Sequence, residues 1–199
     1  DYNDGIRINS GLNPVPMDGI VEVSGSSIDV LGKGSSGVYI VNGSINMADS
    51  SVVVSGDGEY GLGVHASASD VTLTNTTIKN GGSNYAKGVE VLEGGDLNIS
   101  GGSIETAGYS SAGVSFVGKV GSSALSVGKI DGLEVKTKGK SSVGALFWGE
   151  NVSADVKNTK IETQGESASG YSVEARGKLT LEGGAVATSG NLAAGVHVF

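Results

Sequence analysis

The chain restarts itself at a fixed interval. A glycine followed by a short strand-like run recurs as GIRI at Gly5, GVYI at Gly37, GVHA at Gly63 and GVEV at Gly88. It returns as GVSF at Gly113, GALF at Gly144, GYSV at Gly170 and GVHV at Gly195. Successive steps are 32, 26, 25, 25, 31, 26 and 25 residues, which makes seven repeats and the opening of an eighth. A period in this range dictates a solenoid, because one such unit cannot bury an apolar face alone and needs its neighbours to form a core.

Each repeat contains three strand-like pieces. The second alternates, as in Val21/Val23, Ile45/Met47, Val71/Leu73, Leu97/Ile99, Ala154/Val156 and Leu179/Leu181. Apolar residues at spacing two put one face inward. The third is anchored by one β-branched residue: Ile28, Val52, Ile78, Ile104, Val135, Ile161, Val186. Two residues beyond the second piece stand Gly25, Asp49, Asn75, Gly101, Gly132, Asn158 and Gly183. These residue types tolerate positive φ. Four residues beyond the third-strand anchor stand Gly32, Gly56, Gly82, Gly108, Gly139, Gly165 and Gly190, predicting a second turn that also needs positive φ.

Three short strands, two tight corners and a period near 25 predict an all-β parallel β-helix of about seven coils. At ~4.8 Å per coil the rod is roughly 34 Å long. An antiparallel sandwich would not need the same glycine at the same phase in every repeat. Collagen is excluded, since 35 glycines accompany only 2 prolines. A hydrophobic fraction of 38% is too high for a disordered chain, and a net charge of −8 argues against nucleic acid as partner. Cysteine is absent, and no apolar run reaches the ~18 residues of a membrane span.

In this register most charges explain themselves. Lys79, Glu105, Lys136 and Glu162 follow one another on successive third strands. Asp131, Lys157 and Glu182 do so after the second. Lys129 faces Asp155, Glu134 faces Lys160, Lys140 faces Glu166 and Lys33 faces Asp57. Such pairs favour the correct register by ~0.2–1 kcal/mol each. Lys119 and Lys138 are left without a partner.

A catalytic site finds little support. Asp70 and Asp96 stack just before the second strand with Ser44 and Ser153 as ladder neighbours and no cation beside them, so they read as solvated corner acids. His65 and His197 take the same outward position five coils apart, about 24 Å, too far to share a metal. No histidine fits a Ser-His-acid arrangement. The expectation is no catalytic residue, no cofactor and no metal.

Function is expected on the corner between the first and second strands, where lengths vary. The first coil uses SGLNPVPMD there, with Asn13 and Val15 between and beside its prolines; the fifth uses VGKVGSSALSV, with Lys119. The only tryptophan, Trp148, begins the same turn one coil on. Loops on a rigid scaffold carry binding, and tryptophan is enriched at interface hot spots. Lys119, Lys138, Trp148, Asn13 and Val15 are the expected partner-binding residues.

The segments DYNDGIRINSG, GSSIDVLGKGSSGVYIVNG and LNISGGSIETAGYSSAGVSF resemble the passenger domains of pertactin-like autotransporters. The resemblance implies a right-handed β-helix exported by a Gram-negative bacterium, with a signal peptide removed and a carboxy-terminal stem and outer-membrane barrel missing. It implies a single passenger fragment over 1–199: a capping coil at 1–36 with loop 9–19, regular coils at 37–194, and a truncated coil begun at 195–199. Such passengers are adhesins, effectors or receptor ligands. One subgroup is similar to secreted bacterial angiogenic factors that engage a vascular growth-factor receptor. Pertactin's Arg-Gly-Asp motif is absent here, so integrin adhesion by that route is not carried over.

The reading is therefore a non-enzymatic virulence factor, secreted or displayed on the bacterial cell surface, that binds a host-cell surface protein. This fragment inserts in no membrane. Weak end-to-end self-association or fraying is expected at Phe199. The alternatives are a polysaccharide lyase or hydrolase of the β-helix type and a self-associating structural adhesin.

Overall fold

The structure, a computed structural model, describes residues 4–9 and 19–199. The described residues form no helix. They build three parallel sheets of 8, 7 and 7 strands, here named A, B and C in the order in which each coil visits them. Within every sheet, neighbouring strands come from successive coils. Coil four shows the plan: Lys87–Leu92 lies in sheet A, Leu97–Ser100 in sheet B and Ser103–Thr106 in sheet C. The molecule is a right-handed parallel β-helix of about seven turns.

The register is the one the repeat predicts. Sheet C aligns Ile28, Val52, Ile78, Ile104, Val135, Ile161 and Val186. Sheet B aligns Ile45, Val71, Leu97, Gly128, Ala154 and Leu179. Gly128 interrupts that apolar ladder, and the larger Phe116 of the same coil fills the space: a Cβ on Gly128 would lie 3.1 Å from its ring. Val38, Val64, Val89 and Val114 are fully buried on sheet A, with Ile40, Phe116 and Phe147 beside them. Burying each such side chain contributes about 1.5–3 kcal/mol. One edge of this core is polar. Thr106, Thr137 and Thr163 stack inside, and their hydroxyls have no hydrogen-bond partner among the described residues. Asn80, in the same ladder, donates its amide to the carbonyls of Gly61 and Lys87 at 2.7 and 2.8 Å. At the last coil the inward positions open: Val173 is 8% exposed and its ladder neighbour Val198 is 69%.

The two predicted corners differ in their physics. Between sheets B and C, Gly25, Asp49, Asn75, Gly101, Gly132, Asn158 and Gly183 all have φ between 46° and 67°, as expected. Between sheets C and A the expectation of positive φ fails. Gly56, Gly82, Gly108, Gly139, Gly165 and Gly190 do not have it. All but Gly82 are glycines because the backbones of successive coils touch there. A Cβ on Gly108 would strike the Gly82 carbonyl and approach Ser83 to 2.6 Å; one on Gly139 would strike the Gly108 carbonyl. The positive φ at this corner falls later, at Gly34, Tyr60, Tyr85, Ser110, Ser141, Ser167 and Leu192.

Candidate partner-binding groove

The strand Ala112–Val117 leaves sheet A and the chain does not reach sheet B until Ser126. The intervening loop folds on itself: the Ser122 amide donates to the Lys119 carbonyl at 3.2 Å, and Gly121 turns with φ 74°. Its ends are held by one residue of the next coil. The buried Asn151 donates its side-chain amide to the carbonyls of Lys119 (3.2 Å) and Ala124 (3.1 Å). Its own carbonyl receives the Ser126 amide at 2.8 Å. Gly118 leaves room for this clamp, since a Cβ there would collide with the Asn151 side-chain oxygen.

Trp148 closes the strand Val143–Trp148, half-buried, opposite Val117 on one side and Glu174 on the other. The chain then turns through Gly149 at φ 117°, and the coil above turns through Ala175 and Arg176 at φ 51° and 66°. Lys119, Val120, Trp148, Glu150, Asn151 and Arg176 thereby line one groove of about 270 Å³. Val120 is 78% exposed. Arg176 stands 3.6 Å from Glu150, and both are open to water, so the pair is weak. Lys119 forms no ion pair among the described residues. An indole wall, an apolar loop tip, two cations and one carboxylate suit the grip of a polar-rimmed protein surface.

The expected site residues thus separate. Lys119 and Trp148 come together. Lys138 does not join them: it follows sheet C strand Glu134–Thr137 and forms an ion pair with Glu105. The expectation that it lacks a partner was drawn from straight-across register, and the contact is diagonal. It draws the Glu105 carboxyl below its usual range, chiefly through the Lys138 hydrogen bond. Asn13 and Val15 lie outside the described residues. Asn151, Glu150 and Arg176 were missed. For Glu150 and Arg176 the signal lay in the register, because they occupy the same turn as Trp148 in its own coil and the next.

The other charged groups are largely accounted for by the fold. Lys136–Glu162, Lys160–Glu134, Lys140–Glu166 and Lys157–Glu182 are ion-paired at 3.1, 3.2, 2.8 and 2.6 Å. Asp70 and Asp96 are not merely solvated acids. Asp70 accepts the Asp96 amide at 2.9 Å, and Asp96 accepts the Val127 amide at 2.8 Å, each tying its coil to the next.

His65 does point outward, but it is almost buried at 9% exposure. Its ring stacks on Tyr39 at 4.8 Å, and Nδ1 lies 2.8 Å from the Glu90 carboxylate. Burial pushes the Glu90 carboxyl up, but hydrogen bonds from His65 and Lys87 outweigh it and hold it below its ordinary value. No cluster of three or more metal-ligating side chains occurs among the described residues. No protein family, curated protein or solved structure matches the chain.

Proposed function

We propose that the protein is a non-catalytic passenger, secreted or displayed on a bacterial surface, that binds a host-cell surface protein as adhesin or receptor ligand. The observation that carries this reading is the groove. The longest described loop, the only tryptophan and Lys119, which like Lys79, Lys129 and Lys178 has no ion pair among the described residues, share one edge of a rod on which the other lysines are ion-paired and Asp70 and Asp96 tie coil to coil. Binding built on a loop beside an aromatic anchor needs none of the paired carboxylates that a glycoside hydrolase requires. Export and display rest on the resemblance to autotransporter passengers.

A photo-crosslinking side chain placed at the exposed Val120 tests it on living host cells. The expected result is a discrete crosslink to one surface protein, competed by unlabelled chain, with none from the same group placed at Lys136. Crosslinks that are absent, or equal from both positions, would remove the groove as binding site. Cleavage of a surface polysaccharide by the purified chain would favour an enzyme.

A further inference from the structure

The corner between sheets C and A carries a second exposed cluster. Tyr60, Tyr85 and Tyr109, three of the chain's six tyrosines, lie on successive coils there and are 60%, 41% and 44% exposed. Tyr60 and Tyr85 stack at 5.2 Å with planes 11° apart, and Tyr109 meets Tyr85 edge-on at 6.1 Å. Tyr60 and Tyr85 hold φ of 61° and 52°, a conformation unusual for bulky side chains. Later coils place Ser110, Ser141, Ser167 and, in the open last turn, Leu192 at the same step, with φ of 47°, 54°, 56° and 56°. Two tyrosines are therefore kept in a costly backbone position without being buried, which points to a use outside the fold.

The molecule contains an occupied version of this arrangement. On sheet A, Arg7, Tyr39 and His65 follow one another in register. Tyr39 stacks on His65, the Arg7 guanidinium lies 4.7 Å from the Tyr39 ring centre, and Asp4 accepts its Nε proton at 2.6 Å. The tyrosine corner repeats the stack one face away, with a gap in place of the cation. The step before Tyr60 is Gly34, at φ 60°, with no side chain. No cation lies over the Tyr60 ring among the described residues. Two carboxylates, Asp57 and Glu59, precede Tyr60 in the same turn. Among the described residues Glu59 is bonded only to the Asn84 amide, at 2.9 Å, and Asp57 meets only Lys33, at 3.9 Å, where both side chains are largely in water.

We infer that the Tyr60–Tyr85 stack, with Glu59 and Asp57 in the same turn as Tyr60, is a binding site for an arginine side chain of a partner protein, seated over the Tyr60 ring above Gly34. A guanidinium fits better than an ammonium because it is planar, lies flat on an aromatic face and bonds a carboxylate at its edge. A chain of net charge −8 also favours a basic partner. The site is separate from the groove at Trp148 and stands or falls without it.

The test is a titration of the intact chain with the blocked peptide acetyl-Gly-Arg-Gly-amide, followed by the ring proton resonances of the tyrosines. Exposed cation–π contacts are weak, so millimolar binding is expected and the comparisons decide. Tyr60→Leu should lower the association constant about threefold to fivefold, Tyr60→Phe by less than twofold, and Glu59→Gln about twofold. Gly34→Asn keeps a backbone that asparagine tolerates and should fill the gap, so it should lower binding as Tyr60→Leu does even if the latter perturbs the corner. Unchanged binding in both Tyr60→Leu and Gly34→Asn overturns the inference. So does equal binding by a peptide with norleucine in place of arginine, or by a neutral oligosaccharide that shifts the same ring.

Discussion

The corner from sheet C to sheet A and the corner from sheet A to sheet B face opposite demands. At the first, coils touch backbone to backbone, and Gly56, Gly108, Gly139, Gly165 and Gly190 repeat because nothing larger fits. At the second, coils touch only in places, as at Gly95, where a Cβ would strike the Ser69 carbonyl, and coil five parts from its neighbours to insert a loop whose ends coil six clamps, chiefly through Asn151. A solenoid must be uniform where its coils meet and is free to vary where they separate. Function follows the same division. The parting corner can gain a binding surface by adding backbone. The touching corner gains one with little added backbone: seven and six residues join the strands in the turns that carry Tyr60 and Tyr85, against five in the others.

The sharpest way to break this comparison is to crowd the touching corner. Gly108→Val should cost more than about 3 kcal/mol, because the new side chain must displace the Gly82 and Ser83 backbone of the coil before it. Gly121→Ala, in the loop, meets nothing within 4 Å and carries only the strain of φ 74°, about 1 kcal/mol. Urea unfolding together with hydrogen exchange across coils three to six separates the two. Comparable losses would erase the distinction between touching and parting corners.

At the parting corner the large effect should fall on binding. Trp148→Ala should weaken host-cell binding by about 2 kcal/mol, roughly thirtyfold, with circular dichroism unchanged. The expectation rests on a half-buried indole at the groove wall. A large fall in melting temperature with unchanged affinity would make Trp148 a prop for the loop instead.

Most of the scaffold could be read from the sequence because each coil repeats the same constraints. The three ladders, the B-to-C corner and the juxtaposition of Lys119 with Trp148 all follow from counting residues between equivalent glycines. Where counting failed, the reason was geometric. Gly108 fits either positive φ or close approach, and periodicity cannot separate them; only the position of the Gly82 carbonyl does. Lys138 was left alone because a long side chain reaches diagonally to Glu105, past the residue straight across. Asn151 gave no pattern, since a clamp is needed only where one coil carries an insertion. The tyrosine stack was countable, three residues before the leading glycines at Gly63 and Gly88, but its meaning depends on the ring geometry and on the empty step at Gly34.

Asn151→Ala sharpens the comparison from within the loop. It removes two part-buried hydrogen bonds to carbonyls and should cost about 1–2 kcal/mol. The loss should be local. Trypsin should cut after Lys119 many times faster than in the parent chain, while the sheet C ion pairs and the far coils keep their protection. Uniform loosening of the rod would mean that the clamp is part of the coil contact and not an addition to it.

The smallest effect is expected from Lys119→Glu. Its ammonium is exposed at the groove rim and forms no ion pair among the described residues, so removing it should leave stability within about 0.5 kcal/mol. Rim charges act mainly on encounter. If the partner presents acidic groups to this edge, reversing the charge should slow association up to roughly tenfold at low salt, and the difference should shrink as ionic strength rises and the Debye length falls to about 8 Å. The dissociation rate should barely move. Lys136→Glu is the matched control: it breaks the 3.1 Å pair with Glu162 on sheet C, far from the groove, and changes net charge by the same amount. An equal slowing by both variants would assign the effect to the overall field of an acidic rod. A slowing confined to Lys119→Glu would place the encounter surface at the corner where the coils part.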